Sequence, residues 1–431
     1  TGQYNTLVGG LDGDALTNSD YNTAVGYLAL STDTLGANNT ALGSAALMTQ
    51  NFTTATNSYN VAVGINAGLL VTTGIWNTFV GSLAGDALID ADYNVAVGVN
   101  ALGADTYGSR STAIGQGALE AQNFTTATDA YNVAVGTQAG KSVTTGNQNT
   151  LIGGLAGDAL DTGNTNTVMG YSALSADTKG DRAVAIGLNA LTTQNFTTNT
   201  DNYNVAIGYE AGKALTTGVQ NVLIGGLSGD SLTDGDANTA LGYTSLSGAV
   251  TGDNNTAVGS RAMLSNTSGY ANTGLGRDAL YSNTVGIYNT AIGEGALYTN
   301  VDGSRSVAVG RYALYTQDPA SAVDMYNTAV GYAAGTSVTT AVNNTLIGGN
   351  AGDSLTTGAQ NTALGTFALT ADDLGSYSTA LGYNTLAALN YSTATDSYNT
   401  AVGGRAGQSI TTAVNNTLVG GLAGDALTTG Y

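Results

Sequence analysis

The sequence predicts an all-β protein, a β-solenoid in which short coils stack one on another. Three observations carry that prediction. A glycine closing the phrase N-[T/V]-A-[V/I/L]-G recurs 24 times, from Gly9 to Gly420, and every interval between copies is 17 or 21 residues. The residue before that glycine is aliphatic or Met in all 24 copies, and Thr or Val stands two residues earlier throughout. Finally, "TLVGGLDGDAL" at 6–16 returns with a 72-residue beat, broken once by a gap of 123 that exceeds the beat by three 17-residue coils. Growth by whole coils is what a stack of equivalent layers tolerates and a globular core does not.

Within each coil, the three residues before the glycine read as a strand. Thr and Val are β-branched and strand-favouring, and the position between them and the Val/Ile/Leu site is usually Ala. Period-2 alternation puts the branched residues on one face and Ala on the other. We expect the branched face to be enclosed and the small Ala face to admit another chain. After the glycine, Ala at the third position and Leu, Met or Gly at the fourth suggest a second short strand. Helix is excluded because glycine returns too often for one to form.

Asparagine stands four residues before the glycine in 20 of 24 copies. Asn5, Asn22, Asn39, Asn60, Asn77 and Asn94 begin a row that is expected to form an internal ladder, amide bonded to amide along the axis. The glycine itself is read as a positive-φ corner or a close approach between layers. Residues 1–431 form one continuous solenoid by this reading, with the three additional coils around 251–301. At roughly 4.8 Å per coil the stack would extend on the order of 115 Å. So thin a stack, with few branched aliphatic residues per coil, suggests several chains side by side, most simply three around an axis.

Composition narrows the function. Acids outnumber bases 30 to 10, for a formal charge of −20, which argues against nucleic acid and anionic membranes as partners. There is no Cys and no His, so the usual general base and commonest transition-metal ligand are missing. No apolar run approaches the ~20 residues of a membrane helix. The chain starts without Met and begins and ends mid-repeat, as a fragment of a longer mature protein would. Most acids recur as copies of a template, whereas a catalytic carboxyl is distinguished by its surroundings. No enzyme activity and no cofactor are expected.

The stretches "YNTAVGYLAL", "NNTALGSAAL", "SRSVAVGRYAL" and "NTAIGEGALYTN" resemble the head repeats of trimeric autotransporter adhesins, whose motif runs N-S-V-A-I-G. They are equally similar to the N-T-A-x-G-x-x-A-L repeats of phage and bacterial tail-fibre-like proteins. The resemblance covers the whole chain and is specific for fold rather than activity. It implies a homotrimeric, left-handed parallel β-roll, displayed outside a cell or on a virion. Adhesin heads commonly use shorter coils than the 17 and 21 found here.

Two sets of residues are candidates for contact with something else. The opening phrase is similar to Gly-Asp calcium-binding turns, which makes Asp14, Asp86, Asp158, Asp230, Asp353 and Asp425 weak metal candidates. The order is G-G-x-x-G-D rather than G-G-x-G-x-D, and successive aspartates lie at least four coils apart, about 19 Å by the usual strand spacing. A structural turn is the favoured reading. The 21-residue coils carry four extra residues, as in "TQNFTTATNSYN". There Phe52, Phe124, Phe196 and Tyr391, with Tyr59, Tyr131, Tyr203, Tyr326 and Tyr398, are candidates to contact glycans; the bland alternative is that they pin the loop. Thr-rich tracts raise ice binding, but they recur in only some coils. The sequence therefore predicts the structural shaft of an extracellular or virion fibre, with glycan adhesion through the long loops as the alternative.

Overall fold

The computed structural model describes residues 2–248 and 251–430. It is a parallel β-solenoid of about 24 coils with no helix among the described residues. The chain divides into two compact units, Thr1–Val219 and Gln220–Tyr431. In the first, twelve three-residue strands run from Thr6–Val8 to Val205–Ile207; in the second, twelve run from Val222–Ile224 to Thr417–Val419. Within each unit every strand pairs in parallel with its neighbours in fixed register. Thr23, Ala24 and Val25, for example, face Thr40, Ala41 and Leu42.

The strand faces are the reverse of the expectation. The central residue points inward: Ala24, Ala41, Ala62 and Ala96 are fully buried. The Thr/Val and Val/Ile/Leu residues on either side point outward and are half-buried or exposed. The reason is volume. The interior also receives Leu from the segment after the glycine, such as Leu30, Leu47 and Leu102, all fully buried. One Leu opposite one Ala fills a coil at interior packing density, whereas two branched residues per strand would overfill it.

Among the described residues, no strand forms in the segment immediately after the glycine. The second and fourth residues after it lie in the left-handed region instead, as at Leu28 (φ 61°) and Leu30 (φ 53°). The segment still bonds to both neighbouring coils, Leu28 N donating to Gly10 O and Leu30 N to Ala46 O, at 3.0 and 2.9 Å. A third left-handed corner precedes each Asn, at Tyr21, Asn38 and Tyr59 among others. The glycine that ends the strand has both properties proposed for it. At Gly26 φ is 139°, and a Cβ there would stand 2.6 Å from the carbonyl oxygen of Gly43 in the next coil.

The asparagine row is buried, but its bonds run mainly to backbone. Asn22 Oδ1 accepts from Asn39 N at 2.9 Å, and Asn22 Nδ2 donates to Gly36 O at 3.0 Å. The same pair of bonds is made by Asn60, Asn77 and Asn94. Direct amide–amide bonds, such as Asn39 Nδ2 to Asn22 Oδ1 at 3.1 Å, are the minority. Each side chain thus satisfies two buried backbone groups at a corner that the strand ladder cannot reach.

The 72-residue phrase is an exchange of volume. Where it occurs the central strand residue is large (Phe79, Leu151, Leu346), and the residue four after the glycine is Gly instead of Leu. A Cβ on Gly85 would meet Phe79 at 2.4 Å, and one on Gly157 would meet Leu151 at 2.9 Å. The large residue also reaches the coil before it, where Gly68 and Gly140 make the same concession to Phe79 and Leu151.

Candidate ligand site on the long coils

Five coils carry the four-residue insertion, three in the first unit and two in the second. In each, a short two-residue ladder forms at the base of the insertion, as where Gly36–Ala37 pairs with Thr56–Asn57. A buried polar group organises that base. Asp33 Oδ1 accepts from the backbone N of Gly36 (3.0 Å) and Phe52 (3.2 Å), and Oδ2 accepts from Gln50 Nε2 (2.6 Å). Gln50 Oε1 in turn accepts from Asn60 of the asparagine row at 2.8 Å. Asp105 with Gln122, and Asp177 with Gln194, repeat the arrangement. Burial raises both carboxyls, opposed by the glutamine and backbone donors.

The aromatic candidates therefore separate. Phe52, Phe124 and Phe196 are 6% exposed and Tyr391 is 4% exposed, so they are packing residues and not contacts for a ligand. They turn inward because the loop bends over the buried carboxyl, which takes the backbone N–H of each Phe. Tyr59, Tyr131, Tyr203, Tyr326 and Tyr398 are exposed, on the left-handed corner before each Asn. That corner forms a row of side chains one coil apart. Tyr59 and Trp76 lie 4.5 Å apart, Trp76 and Tyr93 6.5 Å, and Tyr377 and Tyr398 4.9 Å.

At three of the long coils an arginine occupies the row. Arg110 Nε bonds Asp129 at 2.9 Å, and its guanidinium lies between the rings of Tyr93 (4.8 Å) and Tyr131 (5.7 Å). Arg305 pairs with Asp324 at 2.9 Å between Tyr288 (5.1 Å) and Tyr326 (6.0 Å). Arg182 pairs with Asp201 and covers Tyr203 at 5.5 Å. The first long coil has Asn38 and Asn57 at these two positions, joined by a 3.0 Å bond from Asn38 Nδ2 to Asn57 Oδ1. Beside them lies a cleft of about 590 Å³ bounded by Asn18, Asp20, Tyr21, Asn38, Asn57 and Tyr59.

The phrase aspartates do not cluster. Asp86 and Asp158 are half-buried and raised by desolvation, and Asp353 accepts from Asn350 (2.9 Å) and Thr370 (2.5 Å). Asp230 is half-buried, while Asp14 and Asp425 are exposed. Among the described residues no three His, Cys, Asp or Glu side chains converge to hold a metal ion. In the additional coils, Arg261 makes two bonds of 2.8 Å to Asp278, Arg311 bonds Glu294 at 3.1 Å, and Tyr281, Tyr298 and Tyr315 stack at 4.9 Å intervals.

The sequence reading missed two features of the long coils. The buried carboxyls were legible as an Asp three residues before a Gly, with Gln 17 residues later. The open cleft was legible as a joint replacement of Arg and Asp, 19 residues apart, by two asparagines. Comparison of the chain with protein-family models and with curated proteins finds no match.

Proposed function

We propose that the chain is the structural shaft of a fibre displayed outside a cell or on a virion, built from several copies, most simply three. One observation carries this reading: on the outward face of the strand ladder, beside a column of Thr and Val, the residue before each glycine is aliphatic or Met. In the first unit Val25, Val80, Ile114 and Met169 are exposed on it, and in the second Leu241, Leu275, Leu364 and Leu381, at up to 45%. Single exposed aliphatics are ordinary, but rows of them in register form the kind of contiguous patch that marks an interaction surface. The interior is already filled by Ala and Leu, so this face is free to pack against a second and third copy. The resemblance to adhesin heads and tail-fibre repeats supports the same arrangement. In this role the coils act mechanically, each held by parallel backbone bonds to its neighbours, and the recurring acids have no catalytic part. No helix among the described residues is long and apolar enough to cross a membrane.

Sedimentation equilibrium tests the proposal. The chain should sediment at about three times its 42.8 kDa, and Leu241→Glu with Leu275→Glu should give smaller species that keep the far-ultraviolet spectrum of the parent. A parent chain that stays monomeric at tens of micromolar would remove the proposed assembly.

A further inference from the structure

We propose that the first long coil carries a binding slot for one ring of a neutral carbohydrate, held between Tyr21 and Tyr59. The argument starts from the other copies of the same coil. At the second and fourth, two tyrosines two coils apart hold a planar guanidinium between them, 4.8 and 5.7 Å from the ring centres in one case and 5.1 and 6.0 Å in the other. At the fifth, a tyrosine ring takes the same place, with Tyr377 stacked on Tyr398. The geometry of the corner row thus leaves, between rings two coils apart, a gap one flat group thick, roughly 9.6 Å from plane to plane. In the first long coil the flanking rings are Tyr21 and Tyr59, and the intervening residue is Asn38, too short to fill the gap.

Both flanking rings are accessible, Tyr21 at 58% and Tyr59 at 41%. Each is braced from behind, Tyr21 by the stacked ring of Tyr4 at 5.0 Å and Tyr59 by the tilted ring of Trp76 at 4.5 Å, so the gap is flanked by aromatic pairs on both sides. The cleft of about 590 Å³ exceeds a single side chain and suits one or two sugar rings. Its chemistry selects against charge. The Arg and Asp that close the second, third and fourth copies are replaced together, so neither a cation nor its carboxylate partner remains at those positions. Beside Thr56 and a few small or aliphatic side chains, the lining is supplied by three amides, Asn18, Asn38 and Asn57, able to donate to and accept from hydroxyls. The one carboxylate, Asp20, accepts from Gln3 N at 2.5 Å and would repel an acidic sugar. Apolar ring faces above and below, with amides at the rim, is the arrangement that recognises a neutral pyranose, whose faces are C–H and whose edge is hydroxyl.

Trp76 is the sole tryptophan and its ring touches that of Tyr59 at 4.5 Å, which supplies a local reporter. Maltohexaose, cellohexaose, mannohexaose and chitohexaose are titrated into the full chain, with hexagalacturonate and an arginine-rich peptide as charged probes. Fluorescence of Trp76 and calorimetry are followed together. At least one neutral oligosaccharide should bind and shift the emission, and neither charged probe should bind better. Tyr21→Ala and Tyr59→Ala should each weaken binding about tenfold, from the loss of one stacked face, while Tyr203→Ala leaves it unchanged. The decisive variant is Asn38→Arg with Asn57→Asp, which restores the ion pair of the other coils; it should fold as well as the parent and lose binding. Sedimentation of each variant separates loss of binding from loss of self-association. Absence of binding by every neutral probe at millimolar concentration overturns the proposal. So does preference for the uronate or the peptide, or undiminished binding by the double variant.

Discussion

The second and fifth long coils share a backbone plan and differ at its centre. In the second, Asp105 has both oxygens occupied, by two backbone N–H groups and by Gln122. In the fifth, Leu389 stands where the glutamine would be, and Tyr391 replaces the phenylalanine. Tyr391 Oη donates to Ala413 O at 2.8 Å and accepts from Asn399 at 3.1 Å, taking over the glutamine's service to the asparagine row. It does not reach the carboxyl. Asp372 keeps one bond, from Gly375 N at 2.9 Å, and its Oδ2 has no partner. Burial, with Asp373 adding repulsion, pushes its carboxyl up to about 6. The fourth long coil avoids the problem with a neutral Asn300, which accepts from Gln317 at 3.0 Å. The same fold thus tolerates a fully bonded carboxylate, an amide or a protonatable acid at one position, according to the donors around it.

The largest expected effect is the acid dependence of the fifth long coil. Its native state holds the Asp372 proton to about 6 against an ordinary 3.8, so this group favours folding in acid. Its contribution is full below about pH 4 and is lost as pH rises through 6, about 3 kcal/mol in all. Hydrogen exchange of the Thr395 and Ser397 amides, which bond across the base of the insertion, should slow markedly from pH 7.5 to pH 4.5 after correction for intrinsic rates. Asp372→Asn should abolish that change; persistence of it would assign the effect elsewhere.

Next in size, Gln122→Leu should make the second long coil behave like the fifth. It strands Asp105 Oδ2 and leaves Asn132 Nδ2 with only its bond to Gly146 O, at a cost of about 2–3 kcal/mol. Local exchange near Thr128 should become faster at pH 7.5 and less so at pH 5. Leu389→Gln should do the converse, adding about 1 kcal/mol at pH 7.5 and nothing at pH 4. Smallest of all, Arg311→Ala removes an exposed pair with Glu294 and should leave stability close to that of the parent. A clear loss in the chemical melt would mean that this pair is not simply solvated decoration.

Much of this was legible from spacing alone. The 17- and 21-residue intervals give the coil count, the parallel register and the place of each long loop, because stacked layers repeat their geometry as they repeat their letters. Facing was not legible. Thr-Ala-Val alternates equally well with either face inward, and the choice is made by Leu30, Leu47 and their equivalents, which come from another part of the coil and claim the interior. Phe52 was ambiguous for a similar reason: an aromatic in a protruding loop is as consistent with reaching out as with folding back, and a buried Asp 19 residues earlier decided it. The left-handed residues after the glycine were hidden because Leu, Ala, Asn and Arg occupy them without any sequence mark. At the cleft the relevant signal was a difference between copies, which a consensus averages away.

The exchange of Leu for Gly has a genetic corollary. A coil centred on Phe79 or Leu151 intrudes on its predecessor, so inserting it alone after a coil with Leu at the fourth position would drive its side chain into that Leu. To settle elsewhere in the stack, such a coil must move together with the one before it. The additional coils at Gly259, Gly276 and Gly293 carry small centres, Ala257, Gly274 and Ala291, and bring their own Met263, Leu280 and Leu297. They are self-sufficient cassettes, and recombination could lengthen the chain by any number of them without touching the residues on either side.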